Sequence, residues 1–149
     1  GYARTPRSIE GVATFAGSDQ LAAFADGLDI VVSVLPLTPE TTGIMNAGFF
    51  GMLADGAFII NGGRGPQVDD DDLLAALDSG KLGGAALDVF AVEPLPQDHP
   101  FWTHPKVRVW PHVAAQTNAT SAAEQVAAAI TAMMDGSEPA NRVDWSRGY

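Results

Sequence analysis

Residues 29–35 read Asp-Ile-Val-Val-Ser-Val-Leu, a β-branched apolar run that ends at Pro36. Val and Ile favour extended backbone, and a short continuous run of this kind is typical of a strand buried on both faces of a parallel sheet. Proline cannot donate to a sheet ladder, so it marks the end of the strand. The segment therefore predicts one buried strand, and the rest of the chain should supply its neighbours.

Three shorter segments farther along the chain have the same character. Each ends at a glycine, a polar residue or a proline, as strands entering loops often do. They lie at residues 57–61, 84–88 and 107–110. Together with residues 29–35 they make four predicted strands.

Helical patterns lie between most of these strands and after the last one. Ser18, Asn46 and Asp69 are predicted to cap three helices, because their side-chain oxygens can accept backbone N–H groups at a helix start. The predicted helices cover residues 18–25, residues 46–53, a segment from Asp69 that Gly80 ends, and residues 117–134.

The last predicted helix carries Val126, Ile130 and Met133 at the spacing of one buried face. Strands and helices in alternation over this length predict right-handed crossovers and a parallel sheet covered on both sides. The predicted fold is a Rossmann-like, doubly wound α/β sheet in residues 1–136, followed by an irregular tail at residues 137–149.

The composition excludes several classes of function. The chain has 149 residues, a formal net charge of −10 and no cysteine. Non-specific binding to nucleic acid or to an anionic membrane needs clustered Lys and Arg, which this acidic chain does not offer. The missing cysteines exclude disulfides, thiolate metal sites and cysteine nucleophiles. No apolar stretch is long enough to span a bilayer, so the cytoplasm is the expected location.

Two further features are not interpreted as metal sites. Residues 69–72 are four aspartates at a predicted helix start, where interaction with the helix dipole is favoured over metal binding. His99 and His104 lie in a proline-rich stretch at a spacing that matches no common zinc pattern, and we interpret them as loop residues.

Charged or titratable side chains follow three of the predicted strands. They are Arg64, Asp88, Glu93 and His112. Ligands of doubly wound sheets bind beyond the carboxyl ends of the strands, where these residues should lie. The four residues are therefore candidates to line one cleft.

These residues belong to an ordered set of motifs that resembles the D-isomer-specific 2-hydroxyacid dehydrogenases. Arg64 lies 29 residues before Glu93, and Glu93 lies 19 before His112, spacings similar to those of the family's catalytic residues. Two glycines precede Arg64, where many relatives carry a bulkier residue at one position. The likeness is strongest to bacterial members that reduce glyoxylate and hydroxypyruvate, whose ending resembles residues 143–149. The motifs are Leu-Pro-Leu-Thr-Pro-Glu-Thr from Leu35, Asn-Gly-Gly-Arg-Gly from Asn61, Asp-Leu-Leu-Ala-Ala-Leu from Asp72, Leu-Asp-Val-Phe from Leu87, Glu-Pro-Leu-Pro from Glu93 and Pro-His-Val-Ala-Ala from Pro111.

The resemblance implies that Arg64, Glu93 and His112 are catalytic residues that reduce a small 2-keto acid, glyoxylate or hydroxypyruvate. The planar guanidinium of Arg64 can hold the substrate carboxylate or ketone oxygen in a bidentate contact. Protonated His112 can donate a proton to the oxygen as hydride from the reduced nicotinamide reaches the carbon. Glu93 beside the imidazole would favour its charged form, raise its pKa and fix the orientation of the ring.

The first residues of the chain favour NADP over NAD as the cofactor. NAD-binding domains usually end their second strand with an acid for the ribose hydroxyls, whereas no acid precedes Glu10 here. Arg4, with Thr5 and Arg7, is expected to bind the 2′-phosphate, although an ordinary basic surface turn would contain the same residues. The resemblance implies that the other cofactor contacts come from Leu35, Pro36, Thr42, Gly62, Gly63, Arg64, Asp88 and His112.

Each candidate also has an ordinary structural interpretation. A histidine after a proline is more often a surface or hydrogen-bonded residue than a catalyst, and for His112 only the register with Arg64 and Glu93 reverses that preference. Asp88 can simply accept backbone hydrogen bonds at a strand end. Trp102 can line the substrate pocket or anchor its loop in the core, and core anchoring is favoured.

The resemblance also predicts that parts of the complete enzyme lie outside these residues. The first strand, the glycine-rich phosphate loop and the substrate-binding domain have no counterpart in the sequence. In the usual strand order 3-2-1-4-5-6 the first strand lies in the middle, so unpaired edges are expected and the fragment alone should be unstable or rearranged. Residues 1–136 are thus predicted to be a partial dinucleotide-binding domain, and residues 137–149 a tail that returns to the substrate-binding domain.

Two functions of different class follow. The first is a dehydrogenase, expected to be a homodimer as is usual in the family, with its active site completed by sequence outside this chain. The second is a catalytically incomplete module that only binds a nucleotide or another protein. The combination of Arg64, Glu93 and His112 favours descent from an enzyme, because a pure binding module has no chemical need for it.

Overall fold

The structure is a computed structural model that describes residues 1–144. It divides into two compact units, Gly1–His112 and Val113–Tyr149. Residues 145–149, which include most of the predicted family-like ending, lie outside the described residues. No helix in the described part of the chain is long and apolar enough to cross a membrane.

Strands and helices alternate along the first unit, as the sequence predicts. The segments at residues 57–61 and 107–110 are strands almost to the residue, whereas the strand predicted at 29–35 is shorter. Short 3-10 helices lie at Ser18–Gln20, Gly65–Gln67 and Pro100–Trp102. In chain order the elements are β1 (Tyr2–Ala3), β2 (Phe15–Ala16), α1 (Leu21–Ala25), β3 (Ile30–Ser33), α2 (Ala47–Met52), β4 (Ala57–Asn61), α3 (Asp70–Asp78), β5 (Leu82–Leu87), β6 (Val107–Val109) and α4 (Ala119–Met134).

The helix caps follow the sequence at two of three predicted positions. The side chain of Asn46 accepts the N–H of Phe49, and that of Asp69 accepts the N–H of Asp72. Ser18 does not cap a helix, because it lies inside a 3-10 turn that begins after Gly17. The last helix begins at Ala119, two residues later than predicted, since Asn118 supplies its cap.

The strands form two parallel sheets. β1 pairs with β2, and β3, β4, β5 and β6 form a four-stranded sheet in that order. Among the described residues, β1 and β3 each lie at the edge of their sheet. The predicted parallel α/β sheet is confirmed.

One face of the four-stranded sheet carries the core. Val31 in β3 and Ile59 in β4 are 5% and 0% exposed, and they pack in one cluster with apolar side chains of α2 and α3. Alternate strand residues point to opposite faces, and in β4 the cluster accordingly takes Ala57 and Ile59. The helices contribute Ala25, Phe49, Phe50, Leu73, Ala76 and Leu77 to it.

The opposite face of the sheet was predicted to be buried, and this prediction is wrong for the described chain. Ile30 and Val32 are each 60% exposed, Phe58 is 51% exposed and Ile60 is 40% exposed. Such an apolar run is buried on both faces only where helices cover both faces of the sheet. Here α2 and α3 contribute to the cluster on the other face alone.

The predicted buried face of the last helix is also not observed. Val126, Ile130 and Met133 on α4 are 58%, 53% and 68% exposed. Their spacing does place them together along one side of the helix. The periodicity thus identified the helix correctly, but no element of the described residues buries its apolar side.

Gly65 brings two strand-end loops into direct contact. A Cβ atom built on Gly65 would lie 1.8 Å from the carbonyl carbon of Phe90 and 2.0 Å from its oxygen. No side chain fits there, so the loop after β4 packs its bare backbone against the loop after β5. By contrast, a Cβ atom on Gly62 would meet nothing closer than the Ser33 oxygen at 3.9 Å.

We predict that Gly65→Ala lowers the free energy of unfolding by about 3 kcal/mol or more, because overpacking against rigid backbone forces the two loops apart. Gly62→Ala is the matched control and should change that free energy by less than about 1 kcal/mol. Urea denaturation of the purified proteins measures both. Equal stability of the two variants would contradict the close approach of the loops.

Candidate active site

His112 follows β6 and Glu93 lies in the loop after β5, and the two side chains form a direct pair. The His112 Nδ1 atom lies 2.8 Å from Oε2 of Glu93. The second carboxylate oxygen, Oε1, accepts the backbone N–H of Phe90 at 2.9 Å. Both oxygens of Glu93 therefore have a partner, and the carboxylate is held in one orientation against the imidazole.

These contacts lower the pKa of Glu93 below its ordinary value. The hydrogen bond with His112 has the largest effect, followed by the hydrogen bond from Phe90 and then by the positive charges of His112 and Arg64. An ionised carboxylate can only accept hydrogen bonds, so Nδ1 of His112 must carry a hydrogen.

The backbone at His112 adopts a left-handed conformation with φ of 56°. This region is uncommon for residues other than glycine, and it is found disproportionately at functional sites. Histidine is among the side chains that tolerate it best. The chain turns at His112, just after Trp110 and Pro111, and the ring of His112 lies beside Glu93.

Arg64 lies on the loop after β4, and Asn61 holds its backbone. The Asn61 side chain accepts the N–H of Gly63 at 3.0 Å and donates to the carbonyl of Arg64 at 3.2 Å. The guanidinium donates from Nη1 to the carbonyl of Gly63 at 2.7 Å. Its charge contributes to the low pKa of Glu93, so the structure brings Arg64 within electrostatic reach of the Glu93 and His112 pair.

Asp88 follows β5 and is only 8% exposed. Its backbone N–H donates to the carbonyl of Asn61 at 3.0 Å, so Asp88 lies beside the start of the Arg64 loop. Asp88 is therefore a largely buried residue at the strand end next to that loop.

The loop after β3 carries the cofactor candidates Leu35, Pro36 and Thr42, and threonine hydroxyls hold it. Thr41 Oγ1 donates to the carbonyl of Pro36 at 2.7 Å, and Thr42 Oγ1 donates to that of Thr38 at 2.8 Å. The Thr42 hydroxyl is thus engaged within its own loop.

Arg4, Thr5 and Arg7 follow β1 directly, and all three are exposed. The pKa of Glu40, on the loop after β3, is lowered chiefly by hydrogen bonding with Thr38 and in smaller part by the charge of Arg4. Arg4 is therefore within electrostatic reach of the loop after β3.

A cavity of about 440 Å³ opens beside the pair of Glu93 and His112. Its wall is mostly apolar and includes Leu95 and Trp102. Trp102 is 51% exposed, and its indole N–H donates to the carbonyl of Pro96 at 2.7 Å. Core anchoring was the favoured prediction for Trp102 and is wrong, because the neighbouring Phe101 takes the buried position.

The other two histidines pair with aspartates of α3. His99 Nε2 lies 3.6 Å from Asp70, and His104 Nε2 lies 3.3 Å from Asp78. They are loop residues, as predicted, and they tie the segment before β6 to both ends of α3. The described residues contain no cluster of three or more His, Asp or Glu side chains that could hold a metal ion.

Two buried amides at this site were not predicted as site residues. Asn61 is 1% exposed and Gln67 is 0% exposed, and both bond to the Arg64 loop. Asn61 ends a predicted strand, so its position was a usable signal. Nothing in the local pattern around Gln67 indicated that its side chain would turn inward.

Comparison with known proteins agrees with this geometry. Residues 1–114 match the family model described as D-isomer specific 2-hydroxyacid dehydrogenase, NAD binding domain. A glyoxylate/hydroxypyruvate reductase A of Serratia proteamaculans is 51% identical over 148 residues, which are 99% of this chain and 47% of that protein. The chain thus spans about half the length of the curated relatives that it matches.

Solved structures give the same result. A D-isomer specific 2-hydroxyacid dehydrogenase from Xanthobacter autotrophicus Py2, in complex with NADPH and MES, superposes with a TM-score of 0.96 at 47% identity over 99% of this chain and 61% of that one. An NADPH-dependent glyoxylate/hydroxypyruvate reductase from Sinorhizobium meliloti, in complex with NADP and sulfate, has a TM-score of 0.93 at 41% identity over 99% of this chain and 48% of that one. On its sequence, its parallel sheet and these likenesses, the chain belongs to the D-isomer specific 2-hydroxyacid dehydrogenase family.

Proposed function

We propose that the complete protein reduces a small 2-keto acid, glyoxylate or hydroxypyruvate, to the 2-hydroxy acid with NADPH. The observation that carries this proposal is the 2.8 Å contact between His112 and Glu93 with Arg64 within electrostatic reach. A cation for a carboxylate and an oriented proton donor are the two groups that such a reaction needs.

The relatives support the same activity and cofactor. The Serratia and Sinorhizobium proteins are named glyoxylate/hydroxypyruvate reductases, and the Xanthobacter and Sinorhizobium structures contain NADPH and NADP. A homodimer is part of the proposal and rests on the family resemblance. A cytoplasmic location is also proposed, and it rests on the sequence, in which no apolar stretch is long enough to span a bilayer.

The residues present fit the cofactor. Arg4, Thr5 and Arg7 are exposed donors at a strand end, suited to a 2′-phosphate, and residues 1–9 include no acid. Gly62 has open space where a side chain would project, so backbone can approach a ligand there. We propose that the remaining contacts come from Leu35, Pro36, Thr42, Gly63, Arg64, Asp88 and His112.

Three side chains of this chain divide the catalytic work. Bound NADPH supplies the hydride that adds to the carbonyl carbon. Arg64 binds the substrate carboxylate or carbonyl oxygen and so orients the ketone. His112 donates a proton from Nε2 to the carbonyl oxygen, where negative charge develops. Glu93 accepts from Nδ1, keeps the ring in place and stabilises its positive charge.

We predict that His112→Gln lowers kcat for glyoxylate and for hydroxypyruvate by about 10²-fold or more in the complete enzyme, because it removes the proton donor. His104→Gln is the matched control, since His104 pairs with Asp78 away from Glu93, and its kcat should equal that of wild type. Oxidation of NADPH followed by absorbance measures the rates, with NADH expected to be the poorer cofactor.

If the wild-type protein binds NADPH but reduces neither keto acid, the proposed reductase activity is contradicted and the nucleotide-binding module is favoured. If the wild-type protein and His112→Gln are equally active, only the role of His112 as proton donor is removed.

We predict that Glu93→Gln lowers the maximum of kcat/KM by about tenfold, because the imidazole of His112 loses the carboxylate that orients it. The pKa of Glu93 is lowered in the folded protein, so its carboxylate is charged throughout the neutral range and is neutralised only below its ordinary value. The variant lacks this charge at every pH. Rates measured from about pH 4 to about pH 8 test this, and a variant as active as wild type at neutral pH would contradict it.

A further inference from the structure

Gln67 is a fully buried polar side chain that the proposed chemistry does not use. It ends the 3-10 turn Gly65–Gln67 after Arg64 and is 0% exposed. A buried amide is costly unless its donors and acceptors are satisfied, so its partners show what it is placed to hold.

All four hydrogen-bonding positions of the Gln67 amide are occupied. Its Oε1 atom accepts the backbone N–H of Arg64 at 3.1 Å and the hydroxyl of Ser33 at 3.3 Å. Its Nε2 atom donates to the carbonyl of Leu35 at 2.9 Å and to that of Pro36 at 3.1 Å. An amide side chain has two donors and two acceptor positions, so no capacity is left over.

The four partners come from two different strand ends. Ser33, Leu35 and Pro36 belong to β3 and the loop after it, which carries cofactor candidates, whereas Arg64 is the proposed substrate cation after β4. One side chain thus bridges the two loops with both halves of its amide.

Gly63 shows how closely the amide is fitted. A Cβ atom on Gly63 would lie 2.4 Å from Oε1 of Gln67 and 2.9 Å from the carbonyl oxygen of Leu35. The glycine before Arg64 is therefore required by the bridge itself, which leaves no room for a larger residue.

We propose that Gln67 is a positioning residue that couples the cofactor loop after β3 to Arg64. It fixes the Arg64 backbone relative to the Leu35 and Pro36 carbonyls, and so sets where the guanidinium meets the substrate. The inference rests on the proposed reduction of a 2-keto acid and deepens it.

The test is a double-mutant cycle in the complete enzyme. Gln67→Met keeps the size of the side chain and removes all four hydrogen bonds, and we expect kcat/KM for glyoxylate to fall about tenfold. In an Arg64→Lys background the same change should lower kcat/KM by less than about twofold, because the group that Gln67 positions is already altered. Gln97→Met, at an exposed loop position, is the matched control and should leave the rate unchanged.

Hydrogen exchange gives a readout that does not depend on turnover. The Arg64 N–H should exchange faster in Gln67→Met, whereas Gln67→Glu keeps an acceptor for that N–H and should retain its protection. Gln67→Glu loses both donors to the loop after β3, so it should weaken NADPH binding measured by fluorescence titration. If Gln67→Met fails to fold, Gln67→Glu still tests the bridge through its effect on NADPH binding.

If Gln67→Met lowers kcat/KM by the same factor in the wild-type and Arg64→Lys backgrounds, the coupling is overturned and Gln67 is a purely structural residue. Unchanged Arg64 exchange in Gln67→Met would overturn the positioning itself. An inactive wild type with the expected exchange change would instead contradict the proposed function and leave the bridge standing.

Discussion

The site depends on the close packing of Gly65 against the peptide between Phe90 and Ala91. That peptide begins at Phe90, whose N–H binds one oxygen of Glu93, while the other oxygen binds His112. Backbone contact at Gly65 therefore sets the distance between the loop of Arg64 and the pair of Glu93 and His112. A side chain at position 65 would move the guanidinium of Arg64 away from Glu93 and His112.

Much of the fold and of this site could be predicted because the signals are local. The strand at residues 57–61 follows from its apolar run, and the caps at Asn46 and Asp69 follow from side chains that reach the next turn. The spacing of Glu93 and His112 correctly indicated side chains that meet, since both follow parallel strands and such ends share one edge of the sheet.

The rest could not be predicted, because burial depends on contacts between distant segments. The sequence of β3 does not say which of its faces has a helix above it, and Ile30 and Val32 are exposed for that reason. Full burial of one such side chain is worth about 1.5–3 kcal/mol, so the stability of the sheet depends on what covers this face. Gln67 was not predicted for the same reason, since three of its four partners lie more than 30 residues earlier in the chain.

The proposed function requires Arg64 and His112 to act together on one small 2-keto acid. A crystal structure of the complete enzyme with NADPH and oxamate, an unreactive 2-keto acid analogue, shows directly whether they do. We expect the guanidinium of Arg64 on the oxamate carboxylate or carbonyl oxygen, and Nε2 of His112 within about 3 Å of the carbonyl oxygen. Oxamate bound with Arg64 turned away, or with Nε2 of His112 far from the carbonyl oxygen, would contradict this arrangement.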